Sequence, residues 1–399
     1  MKEAPSPSCT RTAWRGREAR LLGNGVVRLV TLLGGGHIAE FRFEGASGEP
    51  SVNPLWVPPW PTMEPDRYRP AQHDRIYGSL NEGKLLSGVA GHSLCMDYFG
   101  PPSEEEAAQG LSQHGEAPSS RWKVTARRVS RRGAALTLAV QLPAAGLQFS
   151  RKIELRPRQS VAYFEETVRN ERKADHFFQW TQHVSLGPAF LARQDSETVL
   201  PGTKGMAYPH AYNENKDLLV PGRTFQWPKG PRQGGGVVDL TRPWIESGRG
   251  LVAGILIDPR RQFGFVAAVN RRLGLLIAYC FRREDFPWVT LWEENRAIAG
   301  LPWKRHTQAR GLEFTTTPLP LLRRETFNGG PLFGHPTLAC VPARAERTVR
   351  YAALLAQVPS GFEGPRNIEV KPGQVIIRGT HGKDDVIVPA SGVEKFLGC

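Results

Sequence analysis

Residues 177–186 read FFQWTQHVSL, and the two faces of a strand over this stretch differ sharply in polarity. Successive side chains along a strand point to opposite faces of its sheet. One face carries Phe178, Trp180, Gln182, Val184 and Leu186, and the other carries Phe177, Gln179, Thr181, His183 and Ser185. An apolar face behind a face of Gln, Thr, His and Ser indicates either a strand that lines a polar cleft or an ordinary solvent-facing strand with a surface His.

A second segment favours the cleft. In residues 310–317, RGLEFTTT, Leu312 and Phe314 share one face, while Glu313 lies on the other among threonines. His183 and Glu313 thus each lie on the polar side of a predicted strand. One His and one Glu are the minimum set of side chains for general acid–base catalysis.

The rest of the chain repeats short alternating segments from residue 122 onwards. The 399 residues include 42 Gly and 33 Pro, which are spread over the whole length and suit many strands joined by turns. The clearest helix signal is short and begins after Ser103, a suitable N-cap. We therefore predict an all-β fold, a large twisted antiparallel β-sandwich. Residues 1–20 are predicted to be a flexible N-terminal arm, and 21–399 a single domain.

The chain is basic, with a formal net charge of +14. Nucleic-acid binding is one interpretation, but no nucleic-acid motif accompanies the charge, so a solvated basic surface is favoured. Attraction to acidic sugars is a third interpretation that the charge leaves open. We expect no nucleic-acid partner.

Five cysteines, Cys9, Cys95, Cys280, Cys340 and Cys399, are widely spaced and include no C-x-x-C pair. This spacing argues against a disulfide framework and a zinc site, so we expect free thiols. The N-terminus lacks the apolar region of a secretory signal, and no apolar run reaches transmembrane length. A cytoplasmic protein without a membrane partner is expected.

Four short motifs follow one another along the chain. They are GVAGH at 88–92, HGEAPSSRW at 114–122, TQH at 181–183 and GLEFTTTP at 311–318. Their order and spacing resemble the galactose mutarotase-like superfamily, which includes the aldose 1-epimerases. The resemblance spans roughly residues 25 to 357.

The resemblance implies a twisted double sheet, or supersandwich, with a sugar bound in its concave face. It implies His183 as the general acid on the ring oxygen, Glu313 as the general base on the anomeric hydroxyl, and His114 as a residue that holds the sugar. No cofactor is expected, and no H-E-x-x-H spacing indicates a metal. Ring opening takes a proton from O1 and delivers one to O5, so we expect the pair to face each other across a sugar's width, with Glu313 ionised.

Further candidates for sugar binding are less specific. His92 stands where the superfamily usually has Arg, and the superfamily's mid-chain substrate-binding Asp has no clear counterpart, so the chain resembles a divergent branch. Trp292 and Glu294 share one strand face, where the ring either stacks on a sugar or fills the core. Glu116 and Arg121 are assigned either to the sugar site or to a charge pair at its edge.

These residues predict an aldose 1-epimerase-like isomerase that acts on a small sugar or oligosaccharide. A non-catalytic carbohydrate-binding protein is the main alternative, and a sugar lyase or hydrolase on the same fold is another, because a fold does not fix a function. The sequence specifies neither the sugar nor the oligomeric state.

Overall fold

The computed structural model describes residues 6–45, 51–78, 82–211, 216–380, 382 and 384–398. Strands make up 47% of it and helices 9%, which confirms the all-β class. The strands are β1 (Ser8–Trp14), β2 (Arg17–Gly23), β3 (Val27–Leu32), β4 (Ile38–Phe43), β5 (His92–Cys95), β6 (Lys123–Ser130), β7 (Gly133–Leu142), β8 (Leu147–Leu155), β9 (Val161–Asn170), β10 (His176–Phe178), β11 (Thr181–Leu186), β12 (Ser196–Val199), β13 (Gly202–Ala207), β14 (Thr224–Gln226), β15 (Lys229–Pro231), β16 (Val237–Asp239), β17 (Arg249–Ile257), β18 (Phe263–Asn270), β19 (Leu275–Arg282), β20 (Trp288–Asn295), β21 (Gln308–Thr315), β22 (Ala339–Val341), β23 (Glu346–Gln357), β24 (Pro365–Lys371), β25 (Gln374–Gly379) and β26 (Val386–Pro389).

The helices are short and lie in the connections. They are α1 (Pro70–Tyr77), α2 (Gly83–Leu86), α3 (Glu104–Ala108), α4 (Arg323–Gly329) and α5 (Val393–Leu397). The predicted cap is present at α3, where Ser103 and Glu106 form a reciprocal capping box.

Two large antiparallel sheets form the sandwich. One has eleven strands in the order β1-β2-β3-β4-β5-β11-β21-β20-β17-β13-β14, and the other has eight in the order β12-β18-β19-β23-β9-β8-β7-β6. The main hydrophobic core lies between them and includes Trp122, Phe149, Trp180 and Phe314. This arrangement confirms the predicted antiparallel β-sandwich.

Burial along the strands follows from which faces are covered. Positions in β8 alternate between buried and half-buried, as expected when only one face packs on the core. In β19 every position but the last is buried. The outer face of β19 is covered by the small sheet β24–β26 and by α5, which contribute Ile368, Val375 and Val393 to a second core. The C-terminal residues therefore belong to the packed structure.

The predicted flexible arm over 1–20 is wrong for its described part. Strands β1 and β2 form a hairpin that pairs with β3 at one end of the eleven-stranded sheet. The Arg-rich composition of this segment predicts a solvent-exposed arm. Arg17 is instead buried and donates hydrogen bonds to the carbonyls of Gly34 and Gly88. The charged group of Arg17 therefore lies inside the structure, whereas composition alone predicts that it is exposed to solvent.

The stretch 177–186 is divided into β10 and β11. The interruption covers Gln179 and Trp180. The Gln179 side chain accepts a hydrogen bond from the Phe99 amide at 2.5 Å and donates one to Thr326 Oγ1 at 2.9 Å. From residue 181 onwards the predicted alternation holds, with Gln182 and Val184 on the buried core side. The interruption ties this strand to the loop at Phe99, which forms part of the cleft described below.

Cys9, Cys95, Cys280 and Cys340 are free, as predicted, and Cys399 lies outside the described residues. In the described part of the chain, no helix is long and apolar enough to cross a membrane.

Candidate functional site

His183 and Glu313 lie on adjacent strands of the eleven-stranded sheet. Strand β11 pairs with β21 on one side and with β5 on the other, and His183 is directly opposite Ser93 of β5. Glu313 is opposite Thr290 of β20. The polar faces of these four strands therefore form one surface, which is the floor of a cleft with a cavity volume of about 350 Å³.

The two side chains are in direct contact in this cleft. The distance from His183 Nε2 to Glu313 Oε1 is 3.2 Å. The expectation that a sugar's width separates them is wrong, because adjacent strands hold the two groups side by side on the floor.

Glycine at position 311 provides the space for the Glu313 carboxyl. A Cβ atom at Gly311 would lie 2.2 Å from Glu313 Oε1. Residues 311 and 313 share a strand face, so a side chain at 311 would displace the carboxyl. The G-x-E pattern therefore has a local steric cause.

Burial dominates the electrostatics of the pair. The Glu313 side chain is 1% exposed, and neither of its carboxyl oxygens has a hydrogen-bond partner among the described residues. Desolvation raises the pKa of Glu313 well above its ordinary value. Desolvation also lowers the pKa of His183 well below its ordinary value, with a smaller contribution from nearby His114. The expectation of an ionised Glu313 is not supported, since both shifts favour a protonated carboxyl beside a neutral imidazole.

His114 forms a wall of the same cleft. Its Nδ1 contacts the Phe99 carbonyl oxygen at 2.5 Å, and its ring centroid lies 5.1 Å from that of His183. The backbone of His114 has a φ of 69°, and Gly115 follows with a φ of 79°. A Cβ at Gly115 would lie 2.2 Å from the Met96 carbonyl oxygen, so the H-G sequence permits this close turn. Burial lowers the pKa of His114 to about 4, so the ring is neutral at physiological pH.

A cluster of aromatic rings also lines the cleft. Trp292 lies edge-on to His183, with ring centroids 5.7 Å apart, and contacts Trp303 at 6.0 Å. Trp303 in turn stacks on Trp56 at 5.9 Å. The structure thus places the predicted Trp292 in the cleft, within a cluster of tryptophans rather than alone.

His92 does not line the cleft, contrary to expectation. It is opposite Val184 in the sheet and therefore faces the core, where its Nε2 lies 2.9 Å from Gln182 Oε1. Burial lowers the pKa of His92 to about 3. The neighbouring residue, Ser93, takes the position on the cleft side. A single-residue offset in the resemblance reverses the face, because side chains alternate.

Three further residues that were predicted to bind the sugar make contacts with other parts of the protein. Glu116 accepts hydrogen bonds from the backbone amides of Ala144 and Ala145, and Arg121 pairs with Glu18. Glu294 accepts hydrogen bonds from the amides of 297 and 298, which fixes the turn after β20. Burial raises the pKa of Glu294 to about 7. Their partners are backbone groups or distant charges that strand alternation does not reveal.

Several cleft residues are not predicted by the pattern of the sequence. The position of Ser93 on the cleft side follows directly once the register of β5 is known. Trp56 and Trp303 lie in irregular segments, and Phe99 lies in the loop after β5, so periodicity gave no signal for them. Among the described residues, no group of three or more His, Cys, Asp or Glu side chains is arranged to hold a metal ion.

Because His92 faces the core, His92→Gln should leave the KM for any sugar substrate close to that of the wild type. It should lower the stability by about 1–3 kcal/mol, since Gln182 would lose a well-placed buried partner. Urea unfolding and steady-state kinetics measure the two effects separately. A large rise in KM with unchanged stability would contradict this placement.

Solved structures share this architecture. A candidate aldose 1-epimerase from Klebsiella pneumoniae superposes with a TM-score of 0.59 at 15% identity, covering 86% of this chain and 81% of that one. A galactose mutarotase-like protein from Clostridium acetobutylicum gives 0.59 at 11% identity, covering 88% and 99%. A candidate mutarotase from Salmonella typhimurium gives 0.55 at 13% identity, covering 89% and 95%.

No protein-family model and no curated protein matches the sequence. The chain has the galactose mutarotase-like fold, as the motifs predicted. At these identities the likeness establishes the fold alone.

Proposed function

We propose that this protein is an aldose 1-epimerase-like isomerase that interconverts sugar anomers. The observation that carries the proposal is the His183–Glu313 pair, a carboxyl and an imidazole in direct contact on the floor of a cleft. The absence of a hydrogen-bond partner for either Glu313 oxygen among the described residues supports it further. A buried polar group without a partner costs stability, and such groups concentrate at functional sites.

The contact geometry suits ring opening. Both O1 and O5 of a pyranose are bonded to C1, so two adjacent side chains can reach both oxygens at one edge of the sugar. A proton moves from O1–H to the base as the acid delivers a proton to O5, and the C1–O5 bond breaks to give the open-chain aldehyde. Rotation about C1–C2 and the reverse transfers then close the ring as the other anomer.

One proton on the pair is sufficient for this cycle. The resemblance implies His183 as acid and Glu313 as base, but burial favours the opposite distribution, with the proton on Glu313. Either distribution supplies one donor and one acceptor, and the closing step regenerates the starting state. Ser185 Oγ lies 3.1 Å from His183 Nδ1 and holds the ring so that Nε2 faces Glu313.

The direct test is polarimetry on freshly dissolved α-anomers of a panel of aldoses, with and without the protein. We expect the approach to anomeric equilibrium to be faster with the protein than in buffer for at least one sugar. Unchanged rates across the panel, with binding detected, would instead support the second candidate, a non-catalytic sugar-binding protein. The strong desolvation of Glu313 favours that second candidate, because it opposes charge separation during turnover.

Turnover should depend on pH as expected for a pair that carries one proton. The rate should fall at acid pH when the pair gains a second proton, and at alkaline pH when it loses its only one. Because burial lowers the pKa of His183 well below its ordinary value and raises the pKa of Glu313 well above its own, we expect the range of maximal rate to be broader than the interval from pH 4.5 to 6.5 that ordinary values would give. The measurement is kcat/KM against pH after subtraction of the buffer rate. A bell-shaped profile whose maximum is confined between pH 4.5 and 6.5 would indicate ordinary pKa values for both groups and contradict this account.

Trp292 should contribute to sugar affinity. Its ring flanks His183 at the cleft, so Trp292→Ala should weaken sugar binding by about 0.5–1.5 kcal/mol beyond the loss of buried area. Trp292→Phe is the matched control and should retain most of the affinity. Ligand-observed NMR titration measures both, and equal affinities for the wild type and Trp292→Ala would exclude the stacking role.

A further inference from the structure

Four neighbouring strands place polar side chains in one row across the cleft floor. Ser93 of β5 is directly opposite His183 of β11, and His183 Nε2 contacts Glu313 of β21 at 3.2 Å. Glu313 is in turn opposite Thr290 of β20, and all four residues line the cleft. Neighbouring strands lie about 4.8 Å apart. The acid–base pair therefore lies at the centre of the row, with one hydroxyl side chain beside each member.

The two hydroxyls differ in their hydrogen bonds. Thr290 Oγ1 donates to the Pro318 carbonyl at 2.9 Å, so its donor is already used within the protein. The Ser93 side chain has no hydrogen-bond partner in the described part of the chain, although the residue is only 1% exposed. Buried polar groups in native proteins almost always have partners. Ser93 therefore has hydrogen-bonding capacity that faces the cleft and is not used by the described residues.

The adjacent imidazole does not supply the missing partner. His183 Nδ1 is within hydrogen-bond distance of Ser185 Oγ, at 3.1 Å, and His183 Nε2 contacts Glu313. Both ring nitrogens are thus engaged away from Ser93. A serine hydroxyl donates one hydrogen bond and accepts others, which matches the hydroxyl of a sugar.

We propose that Ser93 is a specificity-determining residue that binds the sugar hydroxyl next to the reacting oxygen at His183. This inference rests on the proposed function, in which the pair contacts O1 and O5 of a pyranose. The hydroxyl next to O1 is the 2-hydroxyl, and the hydroxyl next to O5 is the 6-hydroxyl. Ser93 lies on the side of His183 that is away from Glu313, so its ligand is the neighbour of whichever oxygen contacts His183.

The distribution of the proton on the pair selects the 2-hydroxyl. Burial raises the pKa of Glu313 and lowers that of His183, which favours the proton on Glu313. Glu313 then delivers its proton to O5, and His183 accepts the proton of O1–H. With O1 at His183, the 2-hydroxyl lies on the Ser93 side. The hydrogen bond to Ser93 would give this buried hydroxyl its partner and would orient C1 over the pair.

The test measures sugar affinity with matched sugars and matched variants. The sugars are D-glucose and D-galactose, each with its 2-deoxy and 6-deoxy analogues, and affinity is measured by ligand-observed NMR. For the wild type we expect the parent sugar to bind about threefold to tenfold more tightly than the 2-deoxy analogue, the effect of one neutral hydrogen bond. Ser93→Ala should reduce this ratio to about one, and the ratio for the 6-deoxy analogue should stay as in the wild type.

Thr290→Val is the matched control at the other end of the row. It removes a hydroxyl at nearly constant volume, but this hydroxyl is already bonded to Pro318. Both deoxy ratios should therefore equal those of the wild type. Because each ratio is compared between proteins, intrinsic differences between the sugars cancel.

The inference is overturned if the 2-deoxy ratio is the same in the wild type and Ser93→Ala, or if neither series of sugars binds. A 6-deoxy ratio that is lost in Ser93→Ala, with the 2-deoxy ratio unchanged, would support Ser93 as the specificity residue and overturn its assignment to the 2-hydroxyl. If Ser93→Ala does not fold, equal affinities of the wild type for the parent sugars and their 2-deoxy analogues overturn the assignment. Loss of the 2-deoxy ratio in Ser93→Ala without anomer exchange in the wild type would overturn only the proposed function, so the two failures are distinguishable.

Discussion

Glu313→Gln should lower kcat/KM for anomer interconversion by about 10²–10⁴-fold, the usual contribution of a positioned acid–base group. The amide keeps the size and shape of the carboxyl but can neither release nor accept the proton that the cycle needs. His183 and the walls of the cleft stay in place, so sugar affinity should change little by comparison. Polarimetry for the rate and NMR titration for the affinity separate these two effects.

The same substitution should stabilise the protein. Folding keeps a proton on Glu313 that the unfolded chain releases above its ordinary pKa of 4.5, because burial raises the pKa in the folded state. The wild type therefore binds more protons folded than unfolded, and its free energy of unfolding falls as pH rises above 4.5. The amide introduced by the substitution does not titrate. The difference in free energy of unfolding between the variant and the wild type should therefore increase in favour of the variant over that pH range. Urea unfolding at several pH values measures it.

His183→Ala is the companion variant. Its effect on the rate should be similar in size, and the double variant should be little worse than either single one, because the two groups act as a unit. Additive losses would mean that the groups act independently. Near-normal turnover in either single variant would exclude the pair as the catalytic centre.

Arg151→Met should destabilise the protein by about 3–5 kcal/mol, the cost of leaving a buried charge without its partner. Arg151 is fully buried, and its Nε donates to Glu166 Oε1 at 2.6 Å. Glu166 also accepts hydrogen bonds from Tyr351 and Gln182, at 2.7 and 2.5 Å. This network joins β8, β9 and β23 of one sheet to β11 of the other, directly behind His183.

The control for this prediction is the double variant Arg151→Met/Glu166→Gln. Removing both charges replaces an unpaired ion with neutral groups, so it should recover part of the lost stability. Urea unfolding with two spectroscopic probes gives the free energies. A loss below about 1 kcal/mol in the single variant, the level of an exposed ion pair, would show that water reaches the network.

Face alternation accounts for what the sequence predicts well. Both strands β11 and β21 are almost entirely buried, but their two faces differ: Val184 and Phe314 lie in the core, whereas His183 and Glu313 line the cleft. The placement of His183 and Glu313 on one polar face could therefore be predicted from the sequence alone. The antiparallel sandwich follows from the same pattern repeated along the chain. Helix α3 was predictable because its cap is local, with Ser103 and Glu106 three residues apart.

The failures share a physical cause, which is contact with distant or irregular parts of the chain. Glu116 and Arg121 bind partners 28 and 103 residues away, which no local pattern reveals. His92 was placed by resemblance, and an offset of one residue reverses the face of a strand. The sequence of residues 1–20 predicts a solvated arm because it contains charged residues such as Arg17, but Arg17 is buried and the segment forms a paired hairpin. The expectation of a sugar-wide gap between His183 and Glu313 did not take into account that O1 and O5 are bonded to the same carbon.

Exchange spectroscopy by NMR on an aldose at anomeric equilibrium tests the central claim most directly, because one sample reports both binding and turnover. With the wild-type protein at neutral pH and the aldose of the panel that it binds most tightly, we predict cross peaks between the α- and β-anomeric protons at a rate above that of buffer. The cross peaks should return to the buffer rate with Glu313→Gln. Binding of the sugar with an exchange rate equal to that of buffer alone would contradict the account.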